Sequence, residues 1–276
     1  MSLGRRTQAA AKDRVRVGGL DFDVLTASQL IALVTDAIGR GIGGTIVTPN
    51  VDICRRASRD QASRDLVAAA SIVVPDGMPL IWAARLAGRP LPERIAGADL
   101  IFLLSEAAAA RGWPVYVLGG LPGADGLPSA AELAARGLSG RYPRLPVAGA
   151  FSPPARFDAA TGDIDGLSAE LAAAQPRIVF VGLGFPKQEQ LIARLAASLP
   201  GAWFVGCGAA IPFAGGTVRR APAWMQRVGL EWVFRLISEP RRLARRYLVD
   251  DLPFAMRLLA ASARQRHIVR RQPQAP

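Results

Sequence analysis

Cysteine and histidine are almost absent from this chain of 276 residues. The two cysteines, Cys54 and Cys207, are far apart and lack CxxC spacing, so neither a disulfide framework nor a thiolate metal site is expected. The single histidine, His267, lies near a basic C-terminus without a partner motif, which removes histidine-based general catalysis and histidine metal clusters from consideration. No apolar run approaches the roughly 18–20 residues that a spanning helix needs. The best candidate, around Leu100–Leu104, is flanked by Asp99 and Glu106. The first fourteen residues carry Arg5, Arg6, Lys12 and Arg14 with no apolar segment after them. They read as a loose basic tail and not as a signal peptide, so a cytoplasmic protein is expected. The dinucleotide fingerprint GxGxxG and the phosphate-binding pattern GxxxxGK[ST] are both missing.

What the chain does have is apolar substance and a steep charge gradient. Half of its residues are apolar and a fifth charged, as in a globular α/β domain. The net charge is +12, and residues 219–276 hold thirteen arginines against four carboxylates, a surplus of nine. Such asymmetry implies an anionic partner at that end: nucleic acid, lipid head groups or a phosphorylated ligand. Trp224, Trp232, Phe234, Tyr247 and Phe254 are interleaved with those arginines. Trp224, Val228, Trp232, Leu236 and Ile237 roughly follow helical spacing, which fits a helix docked on the main domain, an interfacial membrane helix or a nucleic-acid contact.

The stretch Ser71-Ile72-Val73-Val74-Pro75-Asp76-Gly77 reads as a buried strand that stops abruptly. Pro75 cannot extend a hydrogen-bonded ladder and Gly77 permits unusual backbone angles. Asp76 is thereby held just past a strand's carboxyl end, where ligands bind in open α/β sheets. Aspartate is also a preferred helix cap, so this turn by itself fits a cap for a helix from Met78 equally well. Before it, a hairpin is expected around Gly18-Gly19, a helix over Ser28–Ile38, a strand Thr45–Val47 and a helical pair over 51–70. After it, helices are expected at Met78–Leu86, Ala98–Arg111, Ser129–Arg136, Ile164–Ala174 and up to Ala197. Strands at Val115–Leu118, Leu145–Ala150, Arg177–Val181 and Ala202–Val205 alternate with them. That alternation predicts a Rossmann-like, doubly wound, mainly parallel sheet. Four strand ends, Thr48-Pro49-Asn50, Asp76-Gly77, Gly119–Gly123 and Gly182–Glu189, then share one rim, which favours Asp76 as a working residue. Gly119, Gly120 and Gly184 are positions where backbone could approach phosphates. The DxD-like segments Asp21-Phe22-Asp23 and Asp163-Ile164-Asp165 are better explained by capping and solvation.

Several of these stretches together resemble the WecG/TagA/CpsF family of glycosyltransferases: Thr48-Pro49-Asn50, Val74-Pro75-Asp76-Gly77, Pro92-Glu93-Arg94-Ile95-Ala96-Gly97-Ala98-Asp99 and Gly182–Glu189. Arg220–Gln226, Gly229-Leu230-Glu231-Trp232, Arg235 and Glu239-Pro240-Arg241-Arg242 extend the likeness, which runs from Val15 to Tyr247. The resemblance implies a basic tail over 1–14, a Rossmann-like domain over 15–218 and a basic, aromatic-rich helical appendage over 219–276 that meets the membrane. It implies inverting, metal-independent transfer of a sugar from a UDP-sugar to a polyprenyl-diphosphate-linked sugar, by a hexosyl- or N-acetylhexosaminyl-type transferase of cell-surface polysaccharide synthesis. No cofactor is expected. The expected setting is cytoplasmic and peripheral on the inner face of the membrane, with an anionic membrane surface as partner, no nucleic acid, and room for a homo-oligomer. The family's general base falls on Asp76, its polar pocket on Thr48, Asn50, Arg94 and Gln188, and its diphosphate-engaging arginines on Arg235, Arg242 and Arg245. Two departures are visible: Ala210-Ile211-Pro212-Phe213 stands where members commonly carry an aromatic–acid pair, and the 119–129 loop is longer and richer in Gly and Pro.

The residues agree with that chemistry. A carboxylate within reach of an acceptor hydroxyl takes its proton during attack on the anomeric carbon. Arginine forks neutralise a departing diphosphate. A nucleotide-sugar epimerase or dehydrogenase would share the sheet but needs a dinucleotide fingerprint and a Tyr or Cys catalyst. A nucleic-acid-binding protein would explain the basic end but not four polar turns on one rim.

Overall fold

Short runs of β-branched and aromatic residues between 44 and 206 fill a sheet covered on both faces, which is why they read as continuously apolar and not as alternating. The computed structural model describes residues 13–124, 126–154 and 156–271, with side chains described to residue 265. The basic tail over 1–14 therefore lies outside the described residues, except for Asp13 and Arg14, and Arg14 already belongs to the first strand.

A small antiparallel hairpin opens the chain: β1 (Arg14–Val17) and β2 (Leu20–Asp23). Buried Asp23 pairs with Arg14 and accepts a hydrogen bond from the Val73 amide (2.7 Å), so the first DxD-like segment pins the hairpin to the sheet. The main sheet has six parallel strands: β3 (Gly44–Val47), β4 (Ile72–Val73), β5 (Val115–Gly119), β6 (Val147–Phe151), β7 (Ile178–Gly182) and β8 (Trp203–Gly206). Their spatial order is β4-β3-β8-β7-β5-β6. The doubly wound parallel sheet expected from the alternation is what the chain forms.

Successive strand residues alternate between the two faces of the sheet, one covered by a single core and the other by two. Ile46, Ile72, Val117, Phe180 and Val205 meet α1 (Ala27–Gly39), α5 (Gly97–Ala109), α6 (Ala130–Arg141) and α9 (Ala210–Ala214). Val47 and Val73 on the other face meet α2 (Val51–Arg59), α3 (Gln61–Ala68) and α4 (Met78–Leu86). Tyr116, Leu118, Val179, Val181 and Phe204 meet α7 (Asp165–Ala174) and α8 (Lys187–Leu195). Local signals start these helices: Thr26 with Gln29 and Ser129 with Glu132 close capping boxes, and Asn50 and Asp60 cap α2 and α3. Asp163 accepts from the Asp165 amide, so the second DxD-like segment opens α7.

The C-terminal segment differs from its helical reading in one respect. Trp224 and Trp232 do not share a helix: α10 (Ala223–Arg227) and α11 (Glu231–Ser238) are separated at Gly229, whose φ is +79°. A Cβ on Gly229 would fall 2.5 Å from Met78 Cγ, so the turn seats against α4 and needs a glycine on both counts. Beyond it, α12 (Pro240–Ala244), a π-helical stretch (Arg245–Asp251) and α13 (Leu252–Arg271) run on as one rod. Phe254, Leu258 and Leu259 of α13 pack on the core formed by the hairpin, α2 and α4. Trp232 meets Tyr247 edge to face with ring centres 6.2 Å apart, tying α11 to the π-helical stretch. Among the described residues no helix is long and apolar enough to cross a membrane.

Candidate active site

Parallel strands place all their carboxyl ends on one rim, and backbone hydrogen bonds stitch those ends together here. The Asp76 amide donates to Pro49 O (2.9 Å), joining the ends of β4 and β3, and the Ile95 amide donates to Pro75 O (2.9 Å), bringing the Arg94 loop alongside. The Gly120 amide donates to Gly182 O (2.9 Å) and the Cys207 amide to Val181 O (2.9 Å), closing the rim across β5, β7 and β8.

Asp76 does not cap α4. The residue before that helix is Gly77, and it offers no side-chain cap. Instead the carboxylate faces a group of charges. Arg94 Nη1 lies 3.7 Å from Asp76 Oδ1 and 3.2 Å from Glu231 Oε2, and its Nη2 lies 3.5 Å from Asp99 Oδ2. Arg220 donates to both Asp99 and Glu231, the latter at 3.1 Å. Only 16% of the Arg94 and Arg220 side chains is exposed, against 29% of Asp76 and 36% of Asp99, so the cations are the better-buried side of these contacts. Two guanidinium groups thus serve three carboxylates, and Asp76 receives the longest contact. Burial pushes the Asp76 carboxyl up to about 6; Arg94 opposes the rise, and Glu231 and Asp99 add to it. A carboxylate of that basicity, partly open to solvent on a strand-end rim, is suited to accept a proton near neutral pH.

The other expected site residues occupy the same rim in different capacities. Thr48 is buried, with Oγ1 3.5 Å from Gly206 O. Asn50 accepts from the Ile53 amide as the cap of α2 (3.1 Å). Gln188 is buried at the start of α8: its Oε1 accepts from the Gly184 amide (3.3 Å) and the Gly208 amide (3.1 Å), and its Nε2 donates to Glu189 (2.7 Å). It therefore fixes the turns after β7 and β8. Gly119 and Gly120 are explained by packing, because a Cβ on either would fall 2.5 Å from Gly182 O or from Ala130 Cβ, respectively. Gly184 has φ +75° and nothing within 4 Å of where a Cβ would sit, while its amide and carbonyl are both engaged by Gln188. Ile211 fills the space beneath the glycine turns, where a Cβ on Gly182 would fall 2.6 Å from its Cδ1.

The three expected diphosphate arginines are not alike. Arg235 keeps its Nε buried without a hydrogen-bond partner among the described residues. Arg242 pairs with Glu239 (2.6 Å), and Arg245 is exposed. Sequence reasoning gave no role to Asp99, Arg220 or Glu231, although all three stand in the family-like stretches. The available signal was that residues 219–276 contain only four acids among thirteen arginines, so a buried pairing was to be expected. One buried acid, Glu189, also went unassigned: its Oε2 has no partner among the described residues, and burial pushes its carboxyl up to about 7.

The family model "Glycosyl transferase WecG/TagA/CpsF family" matches residues 15–268. Similar to this chain is an N-acetylglucosaminyldiphosphoundecaprenol N-acetyl-beta-D-mannosaminyltransferase of Bacillus subtilis (strain 168), 32% identical over 208 residues, covering 75% of this chain and 77% of the relative. A protein of the same name from Bacillus spizizenii (strain ATCC 23059 / NRRL B-14472 / W23) is 31% identical over 230 residues, covering 83% and 85%. With Asp76, Arg94 and Gln188 gathered on the carboxyl rim of a parallel sheet and the family model spanning nearly the whole chain, the protein belongs to the WecG/TagA/CpsF family of glycosyltransferases.

Proposed function

We propose that this glycosyltransferase moves an N-acetylhexosamine-type sugar from a UDP-sugar to a polyprenyl-diphosphate-linked sugar, with inversion and with Asp76 as general base. The relatives' names, which specify an N-acetylglucosaminyl diphospho-undecaprenol acceptor and an N-acetylmannosaminyl group, support the substrate class. The observation that carries the mechanism is the incompletely neutralised Asp76 on the rim, its carboxyl pushed up to about 6. In the reaction an acceptor hydroxyl oxygen attacks the anomeric carbon, Asp76 takes the hydroxyl proton, and the bond to the donor phosphate breaks on the opposite face. One carboxylate suffices, because inversion forms no covalent enzyme intermediate. The leaving nucleoside diphosphate carries away the bonding electrons, and guanidinium forks are the available counter-charge. Arg235, with its buried unpartnered Nε, is the best supplied of the three for that role. Arg242 would first have to release Glu239.

The C-terminal segment supports a membrane-surface setting. Trp224, Val228, Ile237, Leu248 and Val249 are exposed, and Arg227, Arg241, Arg242 and Arg245 are exposed among them. Aromatics for the head-group layer and arginines for anionic lipid are the makings of a peripheral contact, worth about 1 kcal/mol per arginine near the surface.

Asp76→Asn tests the base. The amide keeps the shape and loses the proton acceptor, so transfer should fall roughly 10²–10⁴-fold while donor binding, read by calorimetry, persists. Turnover within a few-fold of the parent at saturating substrates would remove Asp76 from the role.

A further inference from the structure

The arrangement around Arg94 has a feature that proton transfer alone does not require. Its Nη1 is contested: Glu231 Oε2 at 3.2 Å is within hydrogen-bond distance, whereas Asp76 Oδ1 at 3.7 Å is not. Arg94 reaches Asp99 through its other terminal nitrogen, and Arg220 binds Asp99 and Glu231 but no oxygen of Asp76. The carboxylates that claim the guanidinium groups are therefore Asp99, from the first turn of α5, and Glu231, from the first turn of α11. Arg220 and Glu231 both belong to the C-terminal segment, while Asp76, Arg94 and Asp99 belong to the sheet domain. Held close together, these five groups cannot all be paired: with two largely buried cations and three anions, the anion with the longest contact is the one on the rim.

We propose that Glu231 and Arg220 are positioning residues through which the C-terminal segment sets the basicity of Asp76, Glu231 by holding Arg94 away from it and Arg220 by occupying Glu231 and Asp99. The inference rests on Asp76 being the base. Removing the Glu231 charge frees Nη1 of Arg94 for Asp76 and deletes a nearby negative charge, and both changes favour the ionised form of Asp76. Removing the Arg220 charge acts in the opposite direction. Asp99 and Glu231 then compete harder for Arg94, and a positive charge near Asp76 disappears. The groups facing Asp76 are Arg94, Asp99, Arg220 and Glu231, so the expected signs are fixed by this set.

The test uses the full chain with Glu231→Gln and Arg220→Gln, each read in two ways. The ¹³C chemical shift of the Asp76 carboxyl is titrated by NMR, and the acid limb of kcat/KM is measured. The parent should titrate near 6. Glu231→Gln should move both readouts down by roughly one pH unit, the low end of the one-to-three-unit drop that a close guanidinium gives an aspartate. Arg220→Gln should move both upward. Opposite signs would not arise from a general loosening of the fold, which also protects the test if one variant is unstable, since each sign stands alone. A carboxyl titration unmoved in both variants, or moved the same way in both, overturns the proposal. Movement of the NMR titration without movement of the kinetic limb would uphold the charge sharing and overturn the assignment of Asp76 as base.

Discussion

Two ionic networks join the C-terminal segment to the sheet domain, and they are built to different ratios. On α2, Arg55, Arg56 and Arg246 face Asp52, Asp250 and Asp251, three cations for three anions. Asp52 in that network has 5% of its side chain exposed and touches all three arginines. On the rim, Arg94 and Arg220 face Asp76, Asp99 and Glu231, two cations for three anions. The balanced network fastens the π-helical stretch to α2, where every charge has a partner. The unbalanced one leaves a single carboxylate under-neutralised, and a carboxylate in that state can still take a proton. Glu189 extends the series: it is a buried acid with no arginine at all, and its carboxyl is held up to about 7. In the balanced network burial raises the Asp251 carboxyl too, with Asp52 adding to the rise and Arg246 and Arg55 opposing it, so burial sets the direction and the guanidinium groups limit it.

The comparison is broken most forcefully at Arg55. Arg55→Ala removes the arginine that Asp52, Asp250 and Asp251 share, leaving Asp52 with Arg56 and Arg246 and Asp251 with Arg246, and the loss is expected at the low end, about 3 kcal/mol, of what breaking a buried ion pair costs. A large fall in the denaturation midpoint is expected, with the acid limb of kcat/KM left where it was. A limb that moved with Arg55 would mean that the two networks are one. A smaller effect is expected at Gly229, which seats α11 and with it Glu231. Gly229→Ala forces a Cβ onto Met78 at a positive φ, costing about 1–3 kcal/mol, and should lower the acid limb in the manner of Glu231→Gln but less. An unchanged limb would separate the seat of α11 from Asp76.

The smallest effect is expected at Glu189 and appears as a pH dependence. Its carboxyl titrates near 7 when folded and near its ordinary 4.5 when unfolded. Between those values the native state holds a proton that the unfolded chain has released, so the stability attributable to this group falls as pH rises from about 4.5 through about 7 and is level above. Glu189→Gln removes that titration and retains polar atoms for Gln188. It should be more stable than the parent at pH 8, by an amount on the order of 1 kcal/mol, and lose that advantage by pH 5. An equal difference at both pH values would show that Glu189 ionises freely in its place.

The parts of the molecule legible in the sequence are those governed by neighbours along the chain. The strands ending at Val47, Val73, Gly119, Gly182 and Gly206 announce themselves by β-branched runs broken at Pro or Gly, and Asp76 was found because its turn is made within seven residues. The helical spacing from Trp224 to Ile237 misled, because a periodic apolar face outweighed a single Gly229, and that glycine answers to Met78 across the fold. Gln188 stands in the turn that local patterning puts after β7, yet its tying together of Gly184 and Gly208 depends on the adjacency of β7 and β8.

Parallel strands, their shared carboxyl rim and the presence of one aspartate on it follow from local patterning, since backbone turns and buried runs are decided over a few residues. Family membership was legible for the same reason, in short stretches of fixed spacing. Which charges meet was decided only by tertiary structure. The contacts of Arg94 with Glu231 and of Arg220 with Asp99 span 137 and 121 residues of sequence, and each of the four looks by itself like a solvated residue or a helix end. Coulomb interactions fall with distance in space and are strengthened by burial, and a linear sequence specifies neither for residues so far apart. The sequence held the aspartate; the fold left it under-neutralised by drawing its arginine closer to two other acids.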